Sequence, residues 1–121
     1  MNTKLLGPAF LIALSGCATT PTVGYDWSGY DTSLYRFYKD PTTAEEFRTS
    51  LQAHLNDLES RNVPPPPGLY AEIGTLYLER GDDSTALVYY KKERDTWSES
   101  KYLMDTMISS IEKRAKPGAP K

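Results

Sequence analysis

Residues 69–93 read Leu-Tyr-Ala-Glu-Ile-Gly-Thr-Leu-Tyr-Leu-Glu-Arg-Gly-Asp-Asp-Ser-Thr-Ala-Leu-Val-Tyr-Tyr-Lys-Lys-Glu, and this stretch decides the fold. It divides at Gly81, which can end a first helix because glycine adopts positive φ without a steric penalty. Asp82 and Asp83 follow, where acidic residues cap a second helix and complement its dipole. Small and large apolar residues on both sides of the turn allow the two helices to approach closely. The stretch therefore predicts an antiparallel helix pair.

The same stretch resembles a tetratricopeptide repeat. The positions that match the repeat hold Tyr70, Ile73, Gly74, Tyr77, Gly81, Ala86 and Tyr90. The resemblance implies that Gly74 and Ala86 let the helices approach, while the larger side chains fill the space around them. Two positions depart from the pattern, because Glu93 occupies a site that is usually small and Ser98 stands where the family usually has proline.

A third helix is predicted at the next repeat position. One repeat length of about 34 residues further on, the register reaches four apolar residues, Met104, Met107, Ile108 and Ile111. Residues 100–115 are therefore expected to form a C-terminal cap helix. The register also predicts a partner-binding groove lined by Ala71, Thr75, Leu78 and Glu79 from the first helix and by Tyr102, Asp105, Ser109 and Glu112 from the cap helix. This apolar and acidic lining suits a peptide or helix with apolar anchors and positive charge.

Aromatic residues are concentrated in the segment that precedes these helices. Six rings lie within fourteen positions: Tyr25, Trp27, Tyr30, Tyr35, Phe37 and Tyr38. Asp31 or Thr32 can cap a short helix here, and this helix ends before Pro41 because proline disfavours helical geometry in the preceding residue. The rings either pack as a lid over the following helices or form a platform for a glycan or peptide.

A longer helix is predicted over residues 44–60. Thr43 and Glu46 fit a capping box at its start, and four residues at helical spacing give it one apolar face: Phe47, Leu51, Leu55 and Leu58. His54 lies one position from this stripe and is expected to be buried or interfacial. Four prolines at 64–67 then form a rigid extended connector or a ligand for a proline-binding groove, and the last of them can start the next helix.

The first 16 residues have the pattern of a secretion signal that is removed. Their apolar run over 5–14 is about ten residues long, whereas a membrane-spanning helix needs roughly 20. The sequence Leu-Ser-Gly-Cys that ends at Cys17 resembles the bacterial lipobox, whose cysteine receives a diacylglycerol and, after cleavage, an acylated amine. We therefore expect Cys17 to carry lipid and residues 17–30 to consist of this lipidated cysteine and a tether. Ala18, in place of an acidic residue, resembles lipoproteins sorted to the outer membrane.

The composition excludes several classes of function. Apolar residues make up 39% and charged residues 25% of the chain, as in a folded domain. The formal net charge of -2 provides no basic excess for nucleic acid. One histidine and one cysteine, the latter assigned to lipid, leave neither a zinc cage nor a thiol nucleophile. We therefore expect no enzyme activity, no metal and no cofactor.

Over residues 17–112 the chain also resembles the DUF4810 family of bacterial lipoproteins. The resemblance depends on Tyr-Asp-Trp-Ser-Gly-Tyr-Asp from residue 25, Leu-Tyr-Arg-Phe-Tyr-Lys-Asp-Pro from residue 34, the proline break, Gly-Leu-Tyr-Ala-Glu-Ile-Gly from residue 68 and Tyr-Leu-Met-Asp from residue 102. It implies a component of an envelope lipoprotein set that includes a curli-channel-like protein. It implies no catalytic residue.

These patterns predict an all-α protein. A short antiparallel helical array, with one tetratricopeptide-like helix pair and a C-terminal cap helix, is expected over residues 31–116, followed by a disordered tail at 117–121. The expected function is a periplasm-facing, membrane-anchored module for protein interaction or assembly in the bacterial envelope. Two alternatives are a regulator or scaffold of peptidoglycan synthesis and a glycan-binding module that uses the N-terminal rings.

Overall fold

The computed structural model describes residues 24–115, and this part of the chain is an all-α array of five helices, as the sequence predicts. The helices are α1 (Tyr30–Lys39), α2 (Ala44–Ser60), α3 (Leu69–Glu79), α4 (Asp83–Thr96) and α5 (Lys101–Ala115), with 3₁₀ turns at Pro41–Thr43 and Ser98–Ser100. No helix within 24–115 is long and apolar enough to cross a bilayer. The predicted signal, Cys17, most of the tether and the tail lie outside the described residues.

Contacts between helix ends show that α2 and α3 are antiparallel. The Tyr70 hydroxyl near the start of α3 donates to Glu59 Oε1 near the end of α2, at 2.9 Å. The Arg48 guanidinium near the start of α2 donates to the Tyr77 hydroxyl near the end of α3, at 2.8 Å. Since α2 ends where α3 begins, the proline connector only has to cross one end of the array.

Contacts between helix ends also show that α4 and α5 are antiparallel. Asp83 at the start of α4 pairs with Arg114 at the end of α5, at 3.6 Å. Arg94, in the last turn of α4, pairs with Asp105 in the first half of α5, also at 3.6 Å. The cap helix therefore packs back along α4.

Two hydrophobic cores hold the array together. The first joins α1, α2 and α3, and its buried members are Phe47, Leu51, Leu55, Leu58, Leu69, Tyr70, Ile73 and Leu76. The second joins α4 and α5, and its buried members are Ala86, Tyr90, Met104, Ile108 and Ile111. Tyr77 of α3 packs against both. Each large buried side chain contributes about 1.5–3 kcal/mol, so the predicted apolar stripe of α2 is a main source of stability.

Gly74 and Gly81 have the conformations that their places in the helix pair require. A Cβ atom at Gly74 would lie 3.0 Å from the Tyr90 ring and 3.2 Å from Tyr89 Cβ, so α3 and α4 are in close contact there. Gly81 has φ of +82° and ends α3, as predicted. Asp82 caps α4 by accepting from the Thr85 amide at 3.0 Å, also as predicted.

The predicted caps of α1 and α2 are wrong. The residue before α1 is Gly29, with φ of +74°, while Asp31 accepts the amide of its neighbour Thr32. Before α2, Asp40 caps the 3₁₀ turn instead, and the Thr43 hydroxyl donates to the Asp40 carbonyl. The capping box does not form because Thr43 already belongs to that turn.

The last residue of the proline connector, Pro67, does not start the next helix as predicted. α3 begins at Leu69 after Gly68, whose φ is +95°, rather than at Pro67. Pro65 and Pro66 are buried against the array. A buried pair cannot lie in another protein's proline-binding groove, so the structure favours the rigid connector.

Candidate interaction surface on the C-terminal helix

α5 has one buried face and one open face. Met104, Ile108 and Ile111 are buried in the second core. On the opposite side, Tyr102 is 86% exposed, and Leu103, which is 59% exposed, lies about 100° from it around the helix. Residues three or four apart share one side of a helix, so the buried and open stripes follow directly from the sequence. An exposed tyrosine on a helix face is a candidate anchor for a protein partner.

A shallow cavity of about 330 Å³ runs along this open side. We call its lining the α5 face, which consists of Tyr102, Asp105, Thr106, Ser109, Ser110 and Lys113. One large ring is thus followed by a turn and a half of small side chains and then by a cation. Such a surface has room for a protruding side chain beside the tyrosine ring.

Charged groups fix the acidic edge of the α5 face. Lys101 Nζ lies 2.9 Å from Asp105 Oδ2, and Arg94 approaches the same carboxylate from α4. The hydrogen bond from Lys101, followed by the two positive charges, lowers the pKa of Asp105. Glu112 lies 3.9 Å from Lys91 of α4. Both acidic side chains are therefore paired with basic side chains of the domain.

The predicted groove residues fall into different settings. Tyr102, Asp105 and Ser109 share the α5 face, whereas Glu112 pairs with α4. The predicted groove residues of α3 do not line that cavity: Ala71, Thr75, Leu78 and Glu79. Their binding role stays a prediction.

Three of the α3 groove residues make contacts within the domain. Ala71 and Leu78 pack half-buried against the second core. Thr75 Oγ1 donates to the Ala71 carbonyl and lies 3.0 Å from the Tyr90 hydroxyl. These side chains support α3 and leave Glu79 as the exposed member of the set.

Sequence reasoning missed three members of the α5 face: Thr106, Ser110 and Lys113. Their spacing from Tyr102 was the available signal, because residues at i+4, i+8 and i+11 follow the same side of a helix. Outside the α5 face, sequence reasoning also did not single out Glu72 as a partly buried titratable residue. It is half-buried on α3, and burial, with a smaller contribution from the charge of Glu79, raises its pKa.

Glu93, the departure from the repeat pattern, has a structural role. Its side chain is fully buried. Glu93 Oε1 accepts from the Gly68 amide at 2.8 Å and from the Ser100 hydroxyl at 2.7 Å. A buried glutamate side chain thus joins the start of α3 to the turn before α5, which a small residue at this position could not do.

The N-terminal segment is attached to α2 by a polar clasp. His54 Nε2 lies 2.8 Å from the Asp26 carbonyl oxygen, and Arg61 donates to Asp26 Oδ2 at 2.9 Å. Hydrogen bonds from Ser28, then from Arg61, hold the pKa of Asp26 well below its usual range. His54 is half-buried, so the expectation of a buried or interfacial histidine is confirmed.

The six N-terminal rings divide between packing and exposure. Tyr30 and Phe37 pack against the first core, and Tyr25 meets Trp97 edge to face. Tyr35 and Tyr38 are exposed on α1. The lid therefore forms only in part.

The structure and the comparisons define a class and a family. The chain is a small all-α helical array whose last described helix has an open face. Residues 25–107 match a domain of unknown function, DUF4810, and the protein therefore belongs to the DUF4810 family. No curated protein and no solved structure matches the sequence. Within residues 24–115, no three His, Cys, Asp or Glu side chains are grouped to hold a metal ion.

Proposed function

We propose that this protein is a bacterial lipoprotein that is anchored to the outer membrane through Cys17, faces the periplasm and binds another envelope protein. The anchoring is supported by the Leu-Ser-Gly-Cys sequence, which resembles a lipobox. Three acyl chains, at about 0.8 kcal/mol per buried methylene, would retain the protein on its membrane. The role is binding and assembly rather than catalysis.

The observation that most supports a binding role is the exposure of the α5 face. Tyr102 stands almost free of the domain beside a shallow cavity lined by small side chains. Tyrosine is one of the residues that dominate binding energy at protein interfaces. An amphipathic helix or an extended peptide can place an apolar anchor beside this ring.

A tetratricopeptide-like arrangement explains why this face is open. We interpret α3 and α4 as one repeat pair, in agreement with the close contact at Gly74 and the left-handed turn at Gly81. α5 then corresponds to the first helix of the next pair. In stacked repeats each helix pair covers its neighbour, so a partner's helix would occupy the place that a following helix would take.

The family resemblance indicates which partner to expect. It implies an envelope lipoprotein set that includes a curli-channel-like protein, and a component of that set is the partner we propose. A second lipoprotein on the same membrane would be within reach of a domain held by a short tether.

The experiment compares partner capture by variants of the full-length, membrane-extracted protein. Tyr102→Glu combined with Ser109→Arg should abolish co-purification of the partner, because charge and bulk then fill the α5 face. Val88→Glu, at a 54% exposed position of α4, is the matched control and should capture normally. Helical circular dichroism and melting temperature should be unchanged in both variants.

Retained capture by the folded double variant would refute the α5 face as the binding site. Loss of capture by a still stable Trp27→Ala protein would instead locate the site in the N-terminal aromatic segment. That outcome would favour glycan or peptide binding there.

A further inference from the structure

One end of the helical array has an apolar surface. α2 and α4 end there, and α3 and α5 begin there, because neighbouring helices are antiparallel. A cavity of about 410 Å³ at this end is lined by Gly24, Tyr25, Asp26, Val63, Pro64 and Trp97. We call this surface the Trp97 end.

Aromatic side chains are exposed around the cavity. Tyr25 is 41% exposed and meets Trp97 edge to face, with ring centroids 5.7 Å apart. Trp27 is exposed two residues further along. Tyrosine and tryptophan rings are enriched at membrane–water interfaces, because each combines an apolar body with a polar edge.

The chain leaves the domain toward its proposed anchor from this same end. Seven peptide links join Cys17 to Gly24, so the distance between these two Cα atoms cannot exceed about 25 Å. The clasp at Asp26 attaches the next residues to His54 of α2 and to Arg61, which directly follows the C-terminal end of α2. The Trp97 end is therefore the part of the domain held nearest to the lipid.

We propose that the Trp97 end docks on the headgroup region of the membrane and that its cavity receives part of a phospholipid. The inference rests on the proposed lipidation of Cys17, which brings the surface to the bilayer. The cations at this end are paired with acids, Arg61 with Asp26 and Lys101 with Asp105, while the exposed Glu99 in the turn after Trp97 makes no salt bridge with any described residue. Docking therefore depends on apolar and aromatic contacts rather than on anionic lipid, and raising the salt concentration leaves it unchanged.

The test uses the full-length protein, lipidated in cells and reconstituted into vesicles of phosphatidylethanolamine and phosphatidylglycerol. Pro64→Cys places a single thiol at the cavity for an environment-sensitive fluorophore, since Cys17 is blocked by lipid. Tyr38→Cys is the control, because Tyr38 is 84% exposed and precedes the opposite end of α2, which is about 25 Å long. Mass spectrometry first establishes that Cys17 carries acyl chains.

The label at 64 should shift to shorter wavelength and be quenched by nitroxide-labelled lipids, whereas the label at 38 should report water. Tyr25→Ser should reduce quenching at 64 to the level seen at 38, with helical circular dichroism unchanged. Replacing phosphatidylglycerol by phosphatidylcholine should leave the quenching unaltered.

Each contrary outcome has a separate meaning. Equal, unquenched labels at 64 and 38 on an acylated protein would overturn the docking surface and leave the anchor intact. Absence of acyl mass on Cys17 would overturn the proposed anchoring and this inference with it. A shift at 64 that requires soluble peptidoglycan fragments, and not vesicles, would overturn lipid docking in favour of a glycan site.

Discussion

Gly74 is the residue on which the close contact between α3 and α4 depends. The aromatic ring of Tyr90 lies where a side chain at Gly74 would have to stand. Tyr90 cannot easily move, because it is fully buried in the second core and its hydroxyl lies 3.0 Å from Thr75 Oγ1. The contact between Gly74 and Tyr90 therefore leaves no free space for a side chain at position 74.

Gly74→Leu should lower the free energy of unfolding by about 1–3 kcal/mol or more, which is the usual cost of overpacking a filled site. Urea denaturation of the purified protein measures the change. Ala53→Leu, on the exposed side of α2, is the matched control and should have little effect. Equal midpoints for Gly74→Leu and the wild type would contradict the close helix contact.

Glu93 is the second residue whose replacement should reveal its structural role. Glu93→Ala removes the acceptor for the Gly68 amide and the Ser100 hydroxyl, and each buried polar group left unpaired costs about 1–3 kcal/mol. Glu93→Gln keeps the volume and one acceptor oxygen, so its loss should be smaller. Thermal melting of the two variants compares them; a Glu93→Ala protein at least as stable as Glu93→Gln would refute this structural role of Glu93.

At the scale of elements, the N-terminal segment is stabilised by a contact that is sensitive to acid. The folded state lowers the pKa of Asp26, because its carboxylate accepts from Ser28 and Arg61. A lowered pKa means that folding favours the ionised form. The contribution is therefore complete above the ordinary value of 3.8 and is lost as the pH falls below it.

Asp26→Asn should flatten this acid dependence. Urea denaturation between about pH 2 and pH 7 should show wild type and variant converging as the pH falls below the ordinary carboxyl value. The control is Asp31→Asn on α1, which leaves the clasp intact and should follow the wild-type profile. If wild type and Asp26→Asn show parallel profiles, the clasp does not contribute.

The elements themselves could be predicted well from the sequence, and their ends less well. Apolar spacing gave α2 its observed bounds, because burial of Phe47 and the leucines that follow imposes the helical period. The cap of α1 could not be predicted, since several polar residues near Gly29 are chemically suited to capping and only backbone geometry decides among them. Asp82 was predictable because Gly81 fixes the turn before it.

The candidate site was harder to predict than the fold. Spacing correctly gave the buried stripe of α5, and hence the exposure of Tyr102 on its other side. It does not give the rotation of α3 about its axis relative to α5. In the structure this rotation places Leu78 against the second core rather than in the α5 cavity. Surface sites depend on such rotations, and no repeating pattern encodes them.

At the scale of the whole molecule, the proposed anchor and the proposed binding site lie at different parts of the array. The proposed lipid at Cys17 holds one end near the membrane, and the α5 face extends away from that end along the helix. For 15 residues α5 is about 22 Å long, so a partner on the same membrane can contact it from the side. The proposal therefore favours a neighbouring lipoprotein over a partner across the periplasm.

Site-specific photocrosslinking in native cells tests the central claim most directly. A photoreactive amino acid is placed at Tyr102, and at Val88 as a control, in the full-length protein, and the adducts are identified by mass spectrometry. We predict an adduct between position 102 and one envelope protein, which is absent at position 88 and lost when Ser109→Arg is added. No adduct at 102, or the same adducts at 102 and 88, would contradict a partner-binding role for the α5 face.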